Sequence, residues 1–154
     1  MSSIDLNFTH YFPVPREKVF RAITNPEVLE RVIDGCQKLV RTGEGTYDAE
    51  LRIDVGGLKG TYAGKVALKD MNPPESYTLQ IEAKSGAGSV KIEARIRLAE
   101  ATDGTQLDCD AEVKVGGLLG FVGARLVEPA AKTIMDDFFR KFGEVLKTLP
   151  SNRI

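Results

Sequence analysis

The side chains able to do chemistry in this chain are few, and they do not cluster. His10 is the only histidine among 154 residues. Its alternation with Ile4, Leu6, Phe8 and Phe12 puts it on the inward face of a first strand. Catalysis by an acid, base or nucleophile needs a second group within hydrogen-bond reach, and the sequence assigns His10 no such partner. It reads as a hydrogen-bonded core or rim residue. Tyr47, Tyr62 and Tyr77 also fall on inward positions. Their hydroxyls can orient a carbonyl ligand by hydrogen bonds, and tyrosines equally line cores with the hydroxyl at a rim, so both readings stand. Cys36 and Cys109 are too few and too far apart for a disulfide framework or a zinc site, and read as small core residues. Asp136 and Asp137 are helical neighbours whose side chains diverge, which argues against a metal pair. Arg125 reads as a surface residue rather than an anion hook. No catalytic residue and no metal ligand is expected.

Two near-copies stand out instead, Val55-Gly-Gly-Leu-Lys-Gly60 and Val115-Gly-Gly-Leu-Leu-Gly120. The second opens a helix, where an anion can bind. It lacks the Gly-Lys-Ser/Thr ending of a phosphate loop, and the chain has no parallel βαβ unit, so a nucleotide site is not expected. Each copy ends an alternating strand and places leucine where a surface turn is normally polar. In an antiparallel meander, successive turns alternate between the two ends of the sheet. The turns near Gly57, Gly86 and Gly116 then share one end, and those near Gly43, Pro73 and Gly104 share the other. The first end is glycine-rich and apolar; the second is made of ordinary polar turns. The first is therefore expected to be the mouth of a cavity, with an entrance at Gly57, Leu58, Gly86, Gly117, Leu118, Leu119 and Phe121. Lys59 and Lys84 flank it and can meet anionic head groups or an acidic partner. The alternative is that Leu118, Leu119 and Phe121 only anchor the long helix.

The elements that must position these residues follow from periodicity. A first strand ends at Pro13, and Pro15 suits the first turn of a short helix carrying Val19, Phe20 and Ile23. Asn25-Pro26 starts a second short helix with Asn as N-cap, a stripe of Val28, Leu29, Val32 and Ile33, and Gly35 as C-cap. A strand near Gln37 to Arg41 follows. Tyr47–Val55, Gly60–Leu68, Tyr77–Ala83, Val90–Leu98 and Leu107–Val115 then alternate apolar with charged residues. That pattern means a sheet with one solvated face and one covered face. The cover is a long helix, about Leu119 to Leu149, with a stripe of Val122, Leu126, Ala130, Ile134, Phe138, Phe142, Val145 and Leu149. Pro129 should kink it.

Near mid-strand the inward face carries Ala49, Gly60, Gly64, Ala83, Ala94 and Ala111. Small residues there leave a void, or else mark bends and close helix packing. The void reading gives a cavity lined by Leu51, Ile53, Tyr62, Tyr77, Leu79, Ile81, Ile92, Ile134 and Phe138.

A net charge of −1 with interspersed signs argues against nucleic acid as a partner. No run is long enough for a transmembrane helix, and the N-terminus lacks the layout of a signal peptide, so a cytoplasmic location is expected. The length suits a single domain over 1–154.

The order of elements resembles the START-like, birch-pollen-allergen-like superfamily, and within it the chain resembles the G-subunit family of carbon monoxide dehydrogenase. The residues that carry this are Asn25-Pro-Glu-Val-Leu29, Val32-Ile-Asp-Gly-Cys36, Val55-Gly-Gly-Leu-Lys-Gly60 and Asn72-Pro-Pro74. Gly104-Thr105, Val115-Gly-Gly117, Gly123-Ala-Arg-Leu126, Phe138-Phe139 and Phe142 continue it. The family often has Trp at the place of Phe20 and Pro at that of Asp34. Its longer members carry a C-terminal tail linked to membrane attachment, beyond the point that matches Ile154. The resemblance implies an α+β helix-grip fold, a seven-stranded curved antiparallel sheet on a long C-terminal helix with two short helices after the first strand. It also implies a hydrophobic cavity, and an accessory role toward a molybdenum hydroxylase of the carbon monoxide dehydrogenase type, including its recruitment to the membrane. Together these suggest a non-enzymatic carrier of a lipid- or quinone-like molecule with no required cofactor. Its partners would be that ligand, the dehydrogenase complex, and peripheral contact at the inner face of the membrane. The alternatives are a polyketide cyclase- or dehydratase-like enzyme in the same fold, and a ligand-free interaction adaptor.

Overall fold

Strand β1, Ser2–Phe12, pairs antiparallel with the last strand of the chain, Ile4 opposite Val113 and Phe12 opposite Thr105. The computed structural model describes residues 2–54, 59–86, 88–117 and 124–149. Two short helices follow, α1 at Arg16–Ile23 and α2 at Pro26–Val32. Pro15 stands at the N-cap of α1 rather than inside its first turn, and its carbonyl accepts from the amides of Lys18 and Val19. Asn25 caps α2 as expected, its side chain accepting from the Glu27 amide at 2.9 Å with Pro26 in the first turn. The C-cap of α2 is Ile33, not Gly35. Gly35 instead makes the turn out of the helix, with φ of +76° and a carbonyl that accepts from the Arg52 amide.

The remaining strands are β2 (Cys36–Gly43), β3 (Thr46–Ile53), β4 (Gly60–Asn72), β5 (Ser76–Ser85), β6 (Gly88–Ala101) and β7 (Gly104–Gly116). They form a seven-stranded antiparallel sheet in the order β1-β7-β6-β5-β4-β3-β2. The registers set inward residues against inward residues across the whole sheet. One row runs Ile4–Val113–Ile92–Ile81–Val66–Tyr47, and a second runs Val115–Val90–Ala83–Gly64–Ala49. The connections β2–β3, β4–β5 and β6–β7 share one end of the sheet. Those after β3, β5 and β7 share the other, the glycine-rich one.

The C-terminal helix α3, Ala124–Thr148, runs from the glycine-rich end back to the polar end, where the Leu149 carbonyl accepts from Lys18 Nζ at 2.7 Å. Its most buried residues are Val127, Ala130, Phe139, Phe142 and Leu146. Of the expected stripe, Ala130 and Phe142 are on this line, whereas Ile134, Phe138, Val145 and Leu149 are half-buried beside it. The helix is continuous through Pro129. Its close approaches are to β1, α1 and α2.

Candidate functional site

The covered face of the sheet is not uniformly covered. A large buried cluster fills the polar end, where Phe12, Val19, Phe20, Tyr77, Ile96 and Leu107 meet α3 through Phe139, Phe142 and Leu146. Phe12 meets Phe142 edge-on at 5.4 Å between centroids, and Phe20 meets Tyr77 likewise at 5.7 Å. A smaller cluster lies toward the glycine-rich end, formed by Ile4, Leu6, Tyr62, Val113, Val115, Val127 and Ala130. On the curved half formed by β3, β4 and β5, the inward apolar residues Leu51, Ile53, Val66, Leu79 and Ile81 are only half-buried. Among them Leu51, Val66 and Ile81 belong to neither cluster among the described residues.

The residues expected to line a cavity therefore divide. Tyr62 and Tyr77 are buried, each 3% exposed. Leu51, Ile53, Leu79, Ile81, Ile92, Ile134 and Phe138 are half-buried on the inward face of the sheet or on α3. Of the residues expected at an entrance, Gly57, Leu58, Leu118, Leu119 and Phe121 lie outside the described residues. Gly86 is exposed in the β5–β6 turn, and Gly117, also exposed, follows β7 with φ of +67°. Lys59 is exposed and pairs with Asp54 at 3.7 Å.

Among the described residues, the buried and half-buried polar groups on the inward face of the sheet are few and uncharged. His10 lies against Phe139 of α3 with ring centroids 4.4 Å apart and the planes tilted by 30°. Burial, which favours the neutral imidazole, holds it below its ordinary value of 6.5 against the opposing pull of Asp136. Burial likewise pushes the Tyr77 hydroxyl far up and the Cys109 thiol to about 11. Thr105, fully buried, donates to the Val14 carbonyl at 2.7 Å and ties β7 to the corner before α1. The Tyr62 hydroxyl, unlike that of Thr105, is buried with no hydrogen-bond partner. Sequence periodicity finds the inward tyrosines, but only the tertiary arrangement separates Tyr62 from the others.

Elsewhere the charged residues are occupied at the surface. Asp137 pairs with Arg140 at 3.4 Å, and Asp136 beside it is exposed. Among the described residues no group of His, Cys, Asp or Glu is arranged to hold a metal ion. A polar groove of about 270 Å³ crosses the outer face of the sheet past Asp5, Asn7, Glu93, Arg95, Asp110 and Glu112. There Asp110 accepts from Asn7 and, at 2.6 Å, from Arg97, whose hydrogen bond lowers the Asp110 carboxyl.

A curved antiparallel sheet gripping one long helix, with an apolar inward face left partly uncovered, defines a START-like helix-grip protein. The chain belongs to the CoxG family, the G subunit of carbon monoxide dehydrogenase, whose model matches residues 11–147. It is similar to a conserved protein from Geobacillus kaustophilus, with 30% identity, a TM-score of 0.90, and 94% of this chain and 96% of that one covered. Two more distant likenesses are in fold alone. Ara h 8.0201 has 14% identity and a TM-score of 0.68, over 96% of this chain and 99% of that one. The di-domain ARO/CYC BexL from the BE-7585A biosynthetic pathway has 13% identity and a TM-score of 0.70, over 96% of this chain and 51% of that one. No curated protein matches the sequence. Among the described residues, no helix is long and apolar enough to cross a membrane.

Proposed function

We propose that this protein binds a neutral apolar molecule, lipid- or quinone-like, between the curved half of its sheet and α3. In this reading it serves as an accessory and membrane-recruitment factor for a molybdenum hydroxylase of the carbon monoxide dehydrogenase type. One observation carries the reading: the inward apolar residues Leu51, Val66, Leu79, Ile81 and Ile92 are half-buried, and Leu51, Val66 and Ile81 belong to neither buried cluster. Complete burial of one such side chain is worth about 1.5–3 kcal/mol. Leaving five of them half-covered forgoes roughly several kcal/mol, which an apolar occupant recovers on binding. The family name supports the dehydrogenase as partner.

Non-catalytic action is supported by the packing of His10. The imidazole lies against the Phe139 ring, and Asp136, the carboxylate whose charge reaches it, is exposed. An acid–base mechanism needs a convergent partner at the ligand. The reading is tested by native mass spectrometry of the purified protein for co-purified apolar molecules, together with titration of the neutral dye N-phenyl-1-naphthylamine. Ala83→Leu adds bulk at a half-buried inward position opposite Gly64. It should weaken dye binding at least about tenfold while the melting temperature stays within a few degrees, as expected where the added carbons take the volume proposed for the ligand. A protein that carries no small molecule and ignores the dye refutes the carrier.

A further inference from the structure

We infer that the Tyr62 hydroxyl is the polar anchor of the bound molecule, and that the molecule presents to it a neutral oxygen acceptor such as a ketone carbonyl. The inference rests on the carrier reading and adds the ligand's chemistry. Tyr62 lies on β4 opposite Leu51 and is 3% exposed, yet its hydroxyl oxygen is buried without a partner. Buried hydroxyls are almost always satisfied, so an orphan marks a place where a partner belongs. The apolar residues packed around its cluster are Ile53, Ala83, Val90, Ile92, Ala131 and Ile134.

The sign of the partner follows from its surroundings. The inward positions around Tyr62 that pair across the sheet, Leu51, Ile53, Gly64, Ala83 and Val90, carry no charged side chain. A carboxylate or ammonium brought beside Tyr62 would be desolvated with nothing to balance it, which is far costlier than burying a neutral oxygen. A phenol donates well, so the fitting group is an acceptor. Tyr62 lies near the start of β4, at the glycine-rich end, and the row Ala83–Gly64–Ala49 follows it toward mid-sheet. The acceptor therefore sits toward that end, with the apolar body along the half-buried residues.

The experiment uses a nearly isosteric pair, 9-fluorenone and fluorene, which differ by a carbonyl in place of a methylene. Each displaces N-phenyl-1-naphthylamine from the wild-type protein and from Tyr62→Phe, which keeps the ring and removes only the hydroxyl. The substitution should weaken fluorenone about 3- to 10-fold, the worth of one hydrogen bond, and leave fluorene within about twofold. If both probes bind and the substitution moves them equally, the anchor is refuted while the carrier reading stands. If neither the dye nor either probe binds the wild-type protein, the carrier reading falls and the anchor falls with it.

Discussion

Replacing Gly64 by alanine tests why small residues occupy the middle of the inward face. If Gly64 were there to leave room for a ligand, one methyl group would be tolerated by the fold. The backbone geometry says otherwise. A Cβ at this position would lie 2.0 Å from the Glu82 carbonyl oxygen and 2.7 Å from the Ala83 Cα, both main-chain atoms of the adjacent strand β5. To reach ordinary contact at 3.4 Å, the two strands must part by about 1.4 Å, the difference from 2.0 Å. Such overpacking costs about 1–3 kcal/mol. Parting the strands also weakens one or two ladder hydrogen bonds, each worth about 1 kcal/mol. The expected loss is roughly 2–4 kcal/mol, or roughly 5–15 °C in melting temperature for a chain of this size. Urea unfolding followed by circular dichroism measures it. Gly86→Ala is the control, because a Cβ there meets nothing within 4 Å and should change stability by less than about 0.5 kcal/mol. A Gly64→Ala protein that unfolds at the wild-type midpoint would show that β4 and β5 need no close approach, and would return Gly64 to the void.

Thr105→Val should lower stability by about 1–3 kcal/mol in the same assay, since it leaves the buried Val14 carbonyl without its 2.7 Å donor; an unchanged midpoint would refute that role. His10 is held below its ordinary 6.5 by burial, so the unfolded chain takes up a proton before the folded one. Its effect on stability is therefore absent above about pH 6.5 and becomes a loss as pH falls from there toward the folded value. His10→Phe, which keeps a ring against Phe139, should show a shallower fall in melting temperature between pH 7.5 and 5.5, and an identical fall would refute the assignment. Cys109, fully buried with its thiol pushed up to about 11, should resist a maleimide at pH 8 until the protein unfolds. Half-buried Cys36, whose thiol burial also raises, should label first, and mass spectrometry of the labelled peptides gives the order.

The sheet is legible in the sequence because its two faces differ in solvent. Alternation with period two fixes which residues face inward, and β-pairing must then match inward with inward, as Leu51 with Tyr62 and Leu79 with Ala94 show. Strand β2 is harder to read. It lies at the sheet edge with Val40 47% exposed, so no covered face imprints a pattern on it, and it runs from Cys36 to Gly43 rather than over its middle residues alone. The expected stripe of the long helix departs from the buried line for a geometric reason. Steps of four residues, as from Ala130 to Ile134 to Phe138, drift about 40° per step and carry the half-buried Ile134 and Phe138 off the buried line. Spacings of three and four, as from Phe139 to Phe142 to Leu146, hold the buried line.

The candidate site is legible as a face and not as a set of contacts. Tyr47, Tyr62 and Tyr77 occupy equivalent inward positions in the alternation, and all three are buried. What separates them lies in residues distant along the chain. Phe20, brought in by α1, closes edge-on over Tyr77. Around the Tyr62 cluster apolar residues arrive from β3, β5, β6 and α3, and the Tyr62 hydroxyl is buried there without a partner. A pattern of inward and outward residues cannot encode that difference, because it depends on which elements arrive above each position. The same limit applies to Ala83, Ala94 and Ala111. All three are small and inward, yet Ala94 is packed into the polar-end core at 4% exposure while Ala83 and Ala111 remain half-buried. Small side chains permit both a void and a tight seat, and where α1 and α3 come down on the sheet decides between them.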